Sequence, residues 1–360
     1  MSRVPTAGRV ASRFFAHRRR RLGLGLGVVA ALSIAVASAG CAPALLHVAL
    51  GTERGQGNLR EHELVVGGVR HSVLARRGDG PTAVLLHGFG GDKDNWTRMA
   101  AHLPSSWTLL IPDLAGFGHS ERRDDVHHDV VAQAERVHLL IQHAASRPVI
   151  LVGNSMGGHI AAATAALYPA DVAFLVLVDP AGIVSPEPSE VGAALARGEP
   201  NPLLTTSVAD FDRVMGLMFV HPPALPDVVK SHFAARASAN RPWNDRVFHE
   251  MRQHPFLLES HLGDIHAKTL VLWGADDKVL HRSGAPVFVN GIHDARLVIM
   301  EGTGHTPMIE RPLTTATVVA DFVAIADDRA EVAGLPGFRG ALACRWRCTV
   351  GSGTCQERAV

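Results

Sequence analysis

Six short, uninterrupted apolar runs recur between about residues 61 and 328, and they constrain the fold more than any other feature. Val, Leu and Ile dominate them, at positions 83–86, 109–111, 149–152, 174–178, 270–273 and 297–300. Such runs are typical of strands buried on both faces, in a parallel sheet covered by helices. The intervening segments, for example 129–144 and 314–326, have helical periodicity. The sequence therefore predicts an α/β fold with a mostly parallel, doubly wound sheet.

Two segments depart from this alternation. Residues 64–66 and 72–74 flank Gly67 and Gly68, which predicts an antiparallel hairpin at the edge of the sheet. Between the runs at 174–178 and 270–273, the chain has helical patches and several prolines but no convincing strand. Because a structureless loop of that length is uncommon in a compact domain, we expect an inserted helical cap over 181–266. The core then comprises 51–180 and 267–328.

A glycine-flanked serine directly follows the run at 149–152. The sequence reads Gly153-Asn154-Ser155-Met156-Gly157 and continues into a helix of small residues. A sharp strand-to-helix turn exposes the serine hydroxyl, and glycine at the flanking positions lets the two backbones come close together. A plain strand–helix turn would give the same pattern. We interpret Ser155 as a nucleophile, with Gly153 and Gly157 shaping the turn.

A second glycine-rich stretch, HGFGG at 87–91, follows the run at 83–86. Small residues let the backbone curve around a developing negative charge, and backbone N–H groups aimed at that charge stabilise it. By itself the stretch is only a glycine-rich loop, and its position upstream of the serine turn is what makes it informative. We predict that the amides of Phe89 and Met156 form an oxyanion hole.

An acid and a histidine follow the last two runs. Asp276 and Asp277 come after the run at 270–273, and His305 ends a Gly-Thr-Gly-His turn after the run at 297–300. A histidine can take the serine proton and return it to the leaving group, while a carboxylate fixes the ring tautomer and stabilises the imidazolium. Either aspartate could serve as that carboxylate.

From about residue 61 to 328, the chain resembles the serine α/β-hydrolases, and more narrowly their bacterial lipase and monoacylglycerol lipase branch. The motifs that carry the likeness are LHGF (86–89), KDNW (93–96), GNSMGG (153–158), DPAG (179–182), NPL (201–203), GH (304–305) and MIERP (308–312). The resemblance implies the catalytic order Ser155, Asp277, His305, since the family's W-G-x-x-D spacing ends on Asp277 rather than Asp276. It further implies ester hydrolysis through an acyl-enzyme, with no metal and no organic cofactor.

The sequence also separates this chain from neighbouring activities. Haloalkane dehalogenases and epoxide hydrolases place an aspartate where this chain has Ser155. Carbon–carbon bond hydrolases of the meta-cleavage-product type share the GNSMGG turn, but a tryptophan commonly follows their histidine, where this chain has Thr306. That activity stays as an alternative. A non-catalytic binding protein of the same fold is a further one, although every catalytic position holds a competent residue.

The cap is expected to select the substrate. Its residues 208–220 include the large apolar side chains Phe211, Val214, Met215, Leu217, Met218 and Phe219. They could line or gate an acyl pocket, or they could simply pack the cap onto the core. We predict an acylglycerol or another acyl ester as the substrate.

The N-terminal segment predicts export. Four arginines at 18–21 precede the uncharged stretch 22–39, which is followed by Gly40 and Cys41. A basic, an apolar and a small-residue part are typical of a secretory signal.

The end of this segment indicates how the protein could be anchored. Residues 38–41 resemble a lipobox, with Cys41 as the lipidated residue. As a helix, 22–39 would also cross most of a hydrocarbon core of about 30 Å. We predict that residues 1–50 export the protein and hold it at the cell membrane or envelope, with simple secretion as the alternative.

The tail and the overall charge add two expectations. Residues 329–360 contain Cys344, Cys348 and Cys355, whose spacing matches no standard zinc pattern. Because the tail has no periodic apolar face, we expect it to be disordered. The whole chain has 35 Lys and Arg against 34 Asp and Glu. It therefore lacks the basic excess that binding of nucleic acid requires.

Overall fold

The computed structural model describes residues 42–333, 344–348 and 355–359. The strands are β1 (Arg60–Val66), β2 (Val69–Arg76), β3 (Thr82–Leu86), β4 (Thr108–Pro112), β5 (Val149–Asn154), β6 (Val172–Val178), β7 (Lys268–Gly274), β8 (Ala295–Met300), β9 (Cys344–Cys348) and β10 (Cys355–Ala359). The helices are α1 (Ala42–Gln56), α2 (Thr97–Ala100), α3 (Val130–Ala144), α4 (Met156–Leu167), α5 (Glu190–Ala196), α6 (Val208–Met218), α7 (Asp227–Gln253), α8 (Ala285–Gly291), α9 (Pro307–Glu310) and α10 (Pro312–Ala333). Short 3-10 helices span Lys93–Trp96, Pro169–Asp171, Leu258–Ser260, Leu262–Asp264 and Arg282–Gly284.

One sheet contains all ten strands, in the order β1-β2-β4-β3-β5-β6-β7-β8-β9-β10. The strands from β4 to β8 in this order pair in parallel, whereas β2 pairs antiparallel with both β1 and β4. The mostly parallel, doubly wound sheet predicted from the sequence is confirmed. Parallel pairing brings the carboxyl ends of β3, β5, β6, β7 and β8 to the same edge of the sheet.

Successive residues of the central strands face two different core layers. In β3, Val84 and Leu86 pack in the layer that contains α3, α4 and α8, whereas Ala83 and Leu85 pack in the layer that contains α2 and α10. Both faces of the strand are therefore removed from water. This explains why the apolar runs of the sequence are uninterrupted.

The chain between β6 and β7 forms the inserted helical cap. In the part of the chain that the structure describes, this segment contains α5, α6 and α7 and no strand. No residue of α6 is fully buried, and in α7 only Val229, Ala234 and Val247 are. The cap is therefore much less tightly packed than the sheet below it.

The N-terminal boundary that we expected at residue 50 falls inside α1. This helix contacts α2 and α7, and the Arg54 guanidinium donates two hydrogen bonds of 2.7 Å to Asp94. The folded domain thus includes the chain from residue 42 onward. The segment 22–39 and Cys41 lie outside the described residues. Among the described helices, none combines the length and the apolar character that crossing a membrane requires.

The expectation of a disordered tail needs correction for part of its length. Helix α10 continues to Ala333, and β9 and β10 form an antiparallel pair beside β8. Strand β8 would otherwise present unpaired backbone N–H and C=O groups at the edge of the sheet. Pairing with β9 satisfies them, which gives a physical reason for strands in this segment.

Candidate active site

Ser155 occupies a strained turn between β5 and α4. Its backbone angles are φ 55° and ψ −118°, a combination that residues other than glycine rarely adopt. A Cβ atom on Gly153 would lie 2.1 Å from the carbonyl oxygen of Gly157, and one on Gly157 would lie 2.3 Å from that of Leu86. Both glycines of the predicted turn are therefore required by the close approach of backbones. The turn holds Ser155 at the carboxyl end of a central strand.

The glycine-rich loop after β3 lies against this serine. A Cβ atom on Gly88 would be 3.2 Å from the Cβ of Ser155. The buried ring of His87 fixes the loop, because its Nε2 accepts the Leu114 N–H at 3.0 Å and its Nδ1–H donates to the Gly88 carbonyl at 2.8 Å. Burial lowers the pKa of His87, in keeping with this neutral tautomer. The peptide that carries the Phe89 N–H is thereby held in one orientation.

The two amides predicted for an oxyanion hole follow residues that approach each other closely. Phe89 and Met156 each follow one of the two residues in contact, Gly88 and Ser155. Met156 is the first residue of α4, so its N–H has no partner within the helix. Among the described residues, the Phe89 N–H has no backbone acceptor. Neither N–H group is thus occupied by a backbone acceptor among the described residues.

His305 and Asp277 form a buried pair. Nδ1 of His305 lies 2.8 Å from Oδ2 of Asp277, while Oδ1 of Asp277 accepts the N–H groups of Val279 and Leu280 at 2.7 and 3.0 Å. These bonds fix the carboxylate and the ring, and they leave Nε2 of His305 for proton exchange. Asp276, the rival acid, is exposed.

Asn154 connects the serine turn to the histidine. Its side-chain amide donates to the carbonyl oxygens of Val178 and His305, at 3.1 Å each. The residue directly before Ser155 therefore sets the position of the His305 backbone. In the described chain the Ser155 hydroxyl makes no hydrogen bond, and such catalytic contacts often tighten only when substrate binds.

A second buried carboxylate, Asp179, lies beside the His305–Asp277 pair. It follows β6 with φ 46°, and its Oδ1 accepts the Gly274 N–H at 2.8 Å. One ligand atom from each of Asp179, Asp277 and His305 lies within 4.8 Å of the other two. Burial, together with the charge of Asp277, raises the pKa of Asp179 well above its usual range. Three such atoms could hold a metal ion, although Oδ2 of Asp179 has no hydrogen-bond partner among the described residues.

The cap contacts the histidine loop at two points. Met218, the last residue of α6, accepts the backbone N–H of His305 at 2.9 Å. Glu310 provides the second link, because its Oε2 accepts the Gly304 N–H at 2.9 Å and its Oε1 accepts the His221 N–H at 2.7 Å. The loop that carries His305 is thus bonded to the cap on both sides.

The longest cap helix, α7, contacts the glycine-rich loop after β3, which carries Phe89. The ring of Phe248 packs edge-on against that of Phe89, with 5.6 Å between centroids. Arg236 forms an ion pair with Asp92. The Asp92 side chain also caps the 3-10 helix Lys93–Trp96 by accepting the Asp94 N–H. The loop of Phe89, like the loop of His305, is therefore in contact with the cap.

Sequence reasoning did not single out several buried or bonded groups that lie beside the predicted site residues. His87, Asp179 and Glu310 entered it only as members of family motifs. For Asp179 a usable signal was present, since it directly follows the β6 run and β6 is the neighbour of β7. For Glu310 no such signal exists, because its role depends on contact with a cap residue that is 89 positions away in the sequence.

Comparison with known proteins identifies the family. The family model described as the alpha/beta hydrolase fold matches residues 81–312. This chain belongs to the α/β-hydrolase fold family. The serine turn, the glycine-rich loop after β3 and His305 all lie within the matched region.

Lipases are among the relatives of this α/β hydrolase. It is 36% identical over 265 residues to Lipase 1 of Psychrobacter immobilis, which covers 72% of this chain and 82% of the relative. It is 28% identical over 266 residues to monoacylglycerol lipase ABHD6 of Mus musculus, covering 71% and 79%. The crystal structure of a membrane phospholipase A, titled a novel bacterial virulence factor, matches with a TM-score of 0.77 and 38% identity, covering 86% and 99%. The α/β hydrolase is a carboxylic ester hydrolase of the lipase type.

Proposed function

We propose that this α/β hydrolase cleaves acyl esters, acylglycerols foremost, through an acyl-enzyme on Ser155. His305 takes the hydroxyl proton as Oγ attacks the ester carbonyl carbon, and Asp277 stabilises the resulting imidazolium. The alcohol leaves with that proton. His305 then deprotonates the water that releases the fatty acid and restores the serine. The observation that carries this proposal is the buried His305–Asp277 pair behind the strained serine turn.

Phe89 and Met156 are assigned as the oxyanion donors. The tetrahedral intermediate carries its negative charge on the former carbonyl oxygen, and prepositioned N–H groups stabilise that charge without reorganising. Losing one such donor typically lowers kcat by about 10²–10³. His87 and the contacts of α7 support this role, because they restrict the loop that carries Phe89.

The acyl chain is assigned to the cap. Most large apolar side chains of α6 are half-buried, whereas Val208 at its start is exposed; the half-buried ones are Phe211, Val214, Met215, Leu217 and Met218. The helix ends at Met218, whose carbonyl oxygen accepts the His305 N–H, so the pocket wall would begin beside the reacting atoms. Lipase and monoacylglycerol lipase relatives support an acylglycerol as the substrate.

We further propose that the protein is exported and stays at the cell membrane. The arginine block, the uncharged segment 22–39 and Cys41 support this assignment, as does the structural relative titled a membrane phospholipase A. Labelling with radioactive palmitate should disappear in Cys41→Ala if a lipid is the anchor. Label retained in Cys41→Ala would contradict a lipid on that cysteine, whereas an unlabelled but membrane-bound protein would indicate a spanning anchor.

Activity is tested with the purified full chain on p-nitrophenyl esters of graded chain length, together with a fluorophosphonate probe. We expect turnover, covalent labelling, and loss of both in Ser155→Ala. Turnover restricted to vinylogous diketones would instead indicate a carbon–carbon bond hydrolase. A folded protein with neither turnover nor labelling would be a binding protein of this fold.

A further inference from the structure

A cluster of histidine and carboxylate side chains lies where the cap meets the core, away from Ser155. His127 and Asp129 belong to the loop that leads into α3, and Glu250 belongs to the last turn of α7. Nδ1 of His127 is 3.1 Å from Oε1 of Glu250. One ligand atom from each of His127, Asp129 and Glu250 lies within 4.8 Å of the other two. Neither the proposed mechanism nor the acyl pocket uses these residues.

The neighbouring His128 provides an independent indication of a ligand. Its side chain is only 1% exposed, yet neither of its ring nitrogens has a hydrogen-bond partner among the described residues. Its Nδ1 faces the same cluster, 3.8 Å from Oε2 of Glu250. A buried polar group without a partner is costly, and a bound ion or water commonly accounts for one.

We propose that His127, Asp129 and Glu250 bind one divalent transition-metal ion, Zn²⁺ by their donor chemistry, at the joint between cap and core. Zinc takes imidazole nitrogen and carboxylate oxygen at about 2.0–2.2 Å, which separates two ligands of a tetrahedral site by about 3.3 Å. The 3.1 Å between His127 and Glu250 is close to that separation. Calcium and magnesium are disfavoured, because they prefer sites built entirely of oxygen ligands.

The carboxylates are already oriented for this task by bonds to the backbone. Oε1 of Glu250 accepts the His128 N–H at 2.9 Å, and Oδ1 of Asp129 accepts the Ala132 N–H at 3.0 Å as the N-cap of α3. Such supporting bonds hold ligands in place in known metal sites. The ion would join the start of a core helix to the end of α7, the cap helix that also contacts Phe89. It would therefore fasten the cap without taking part in the chemistry.

The test uses the full chain, stripped with EDTA and titrated with Zn²⁺ by calorimetry and by thermal unfolding. We expect one ion per chain and an increase of the unfolding temperature, because a ligand that binds only the folded state stabilises it. His127→Ala, which removes an exposed side chain, should weaken binding at least tenfold and abolish the thermal shift. His249→Ala is the matched control, since this exposed histidine lies on α7 next to Glu250 and bonds to Gln253 instead.

A second ligand variant and two other metal ions test the identity of the site and of the ion. Glu250→Gln should weaken Zn²⁺ binding as His127→Ala does, and Mg²⁺ and Ca²⁺ should give no thermal shift. The proposal is overturned if the wild type and His127→Ala bind Zn²⁺ equally, or if His249→Ala loses binding to the same extent. It is also overturned if Ca²⁺ stabilises the wild type as strongly as Zn²⁺. Since none of these measurements is an activity, their outcome is independent of the esterase proposal.

Discussion

The carboxyl edge of the sheet and the cap contribute to the same site, but they are packed in opposite ways. At the sheet edge, neither Gly153 nor Gly157 has space for a single added carbon. In the cap, Gly198 and Gly216 have nothing within 4 Å of such a carbon, and α6 has no buried residue. The core thus fixes the reacting groups, whereas the cap is loosely packed except where it contacts the loops of His305 and Phe89. Chemistry and substrate preference should therefore be separable by mutation.

The largest effect is expected from removing the nucleophile. Ser155→Ala should lower kcat/KM for a short ester by at least about 10⁴, because the group that forms the acyl-enzyme is lost. The unfolding temperature should stay within about 2 °C, since the smaller side chain fits the same turn. Ester turnover and thermal unfolding measure the two quantities, with the exposed Ser105→Ala as control. Residual activity above a few per cent would place the nucleophile elsewhere.

The next comparison separates the two buried acids. Asp277→Asn should lower kcat by about 10²–10⁴, because an amide no longer fixes the productive tautomer of His305. Asp179→Asn should stay within about threefold of wild type, since the amide keeps the side-chain oxygen that accepts the Gly274 N–H. The exposed Asp276→Asn is the control. Equal losses in Asp179→Asn and Asp277→Asn would show that both carboxylates must be ionised.

Features of the core that depend on local sequence could be predicted, whereas features that depend on contacts between distant segments could not. The sheet and the serine turn could be predicted from local sequence patterns. Uninterrupted apolar runs indicate buried strands, and the two glycines around Ser155 indicate a close approach of backbones. Asp277 needed the family spacing, although its burial and its bond to His305 distinguish it clearly from Asp276. The support by Asp179 and Glu310, like the strands β9 and β10, depends on contacts between distant segments. No periodicity in the chain encodes those contacts.

Two glycine substitutions test the packing difference directly. Gly157→Ala should lower the free energy of unfolding by more than about 2 kcal/mol, because its Cβ would overlap the carbonyl oxygens of Leu86 and His87. Gly216→Ala, inside α6 and without a neighbour, should raise that free energy by about 0.5–1 kcal/mol through helix propensity. Denaturant titration measures both. Similar changes at the two positions would contradict the contrast between a tight core and a permissive cap.

The free energy of unfolding is expected to depend on pH through His159, a core residue bonded to the cap. Nε2 of His159, on α4, donates to the Phe256 carbonyl at 2.8 Å, and burial lowers the pKa of His159 to about 4. Since the unfolded chain titrates near 6.5, the unfolded state binds more protons between pH 6.5 and 4. This contribution is complete above pH 6.5 and is lost as pH falls through 4, by at most about 3 kcal/mol. His159→Gln should lessen the loss, whereas the exposed His62→Gln should not.

The smallest effect tests whether the cap positions the histidine or only shapes the pocket. The two carboxylate oxygens of Glu310 accept the backbone N–H groups of Gly304 and His221. Glu310→Gln keeps only one of these two oxygen acceptors. One of these groups loses its partner, so kcat/KM should fall by about tenfold. If Glu310 positions the loop of His305, the fall should be equal for short and long esters and should lie in kcat. A fall confined to long esters and to KM would mean that Glu310 acts only through the cap. The exposed cap residue Glu187→Gln is the control, with no change expected in either parameter.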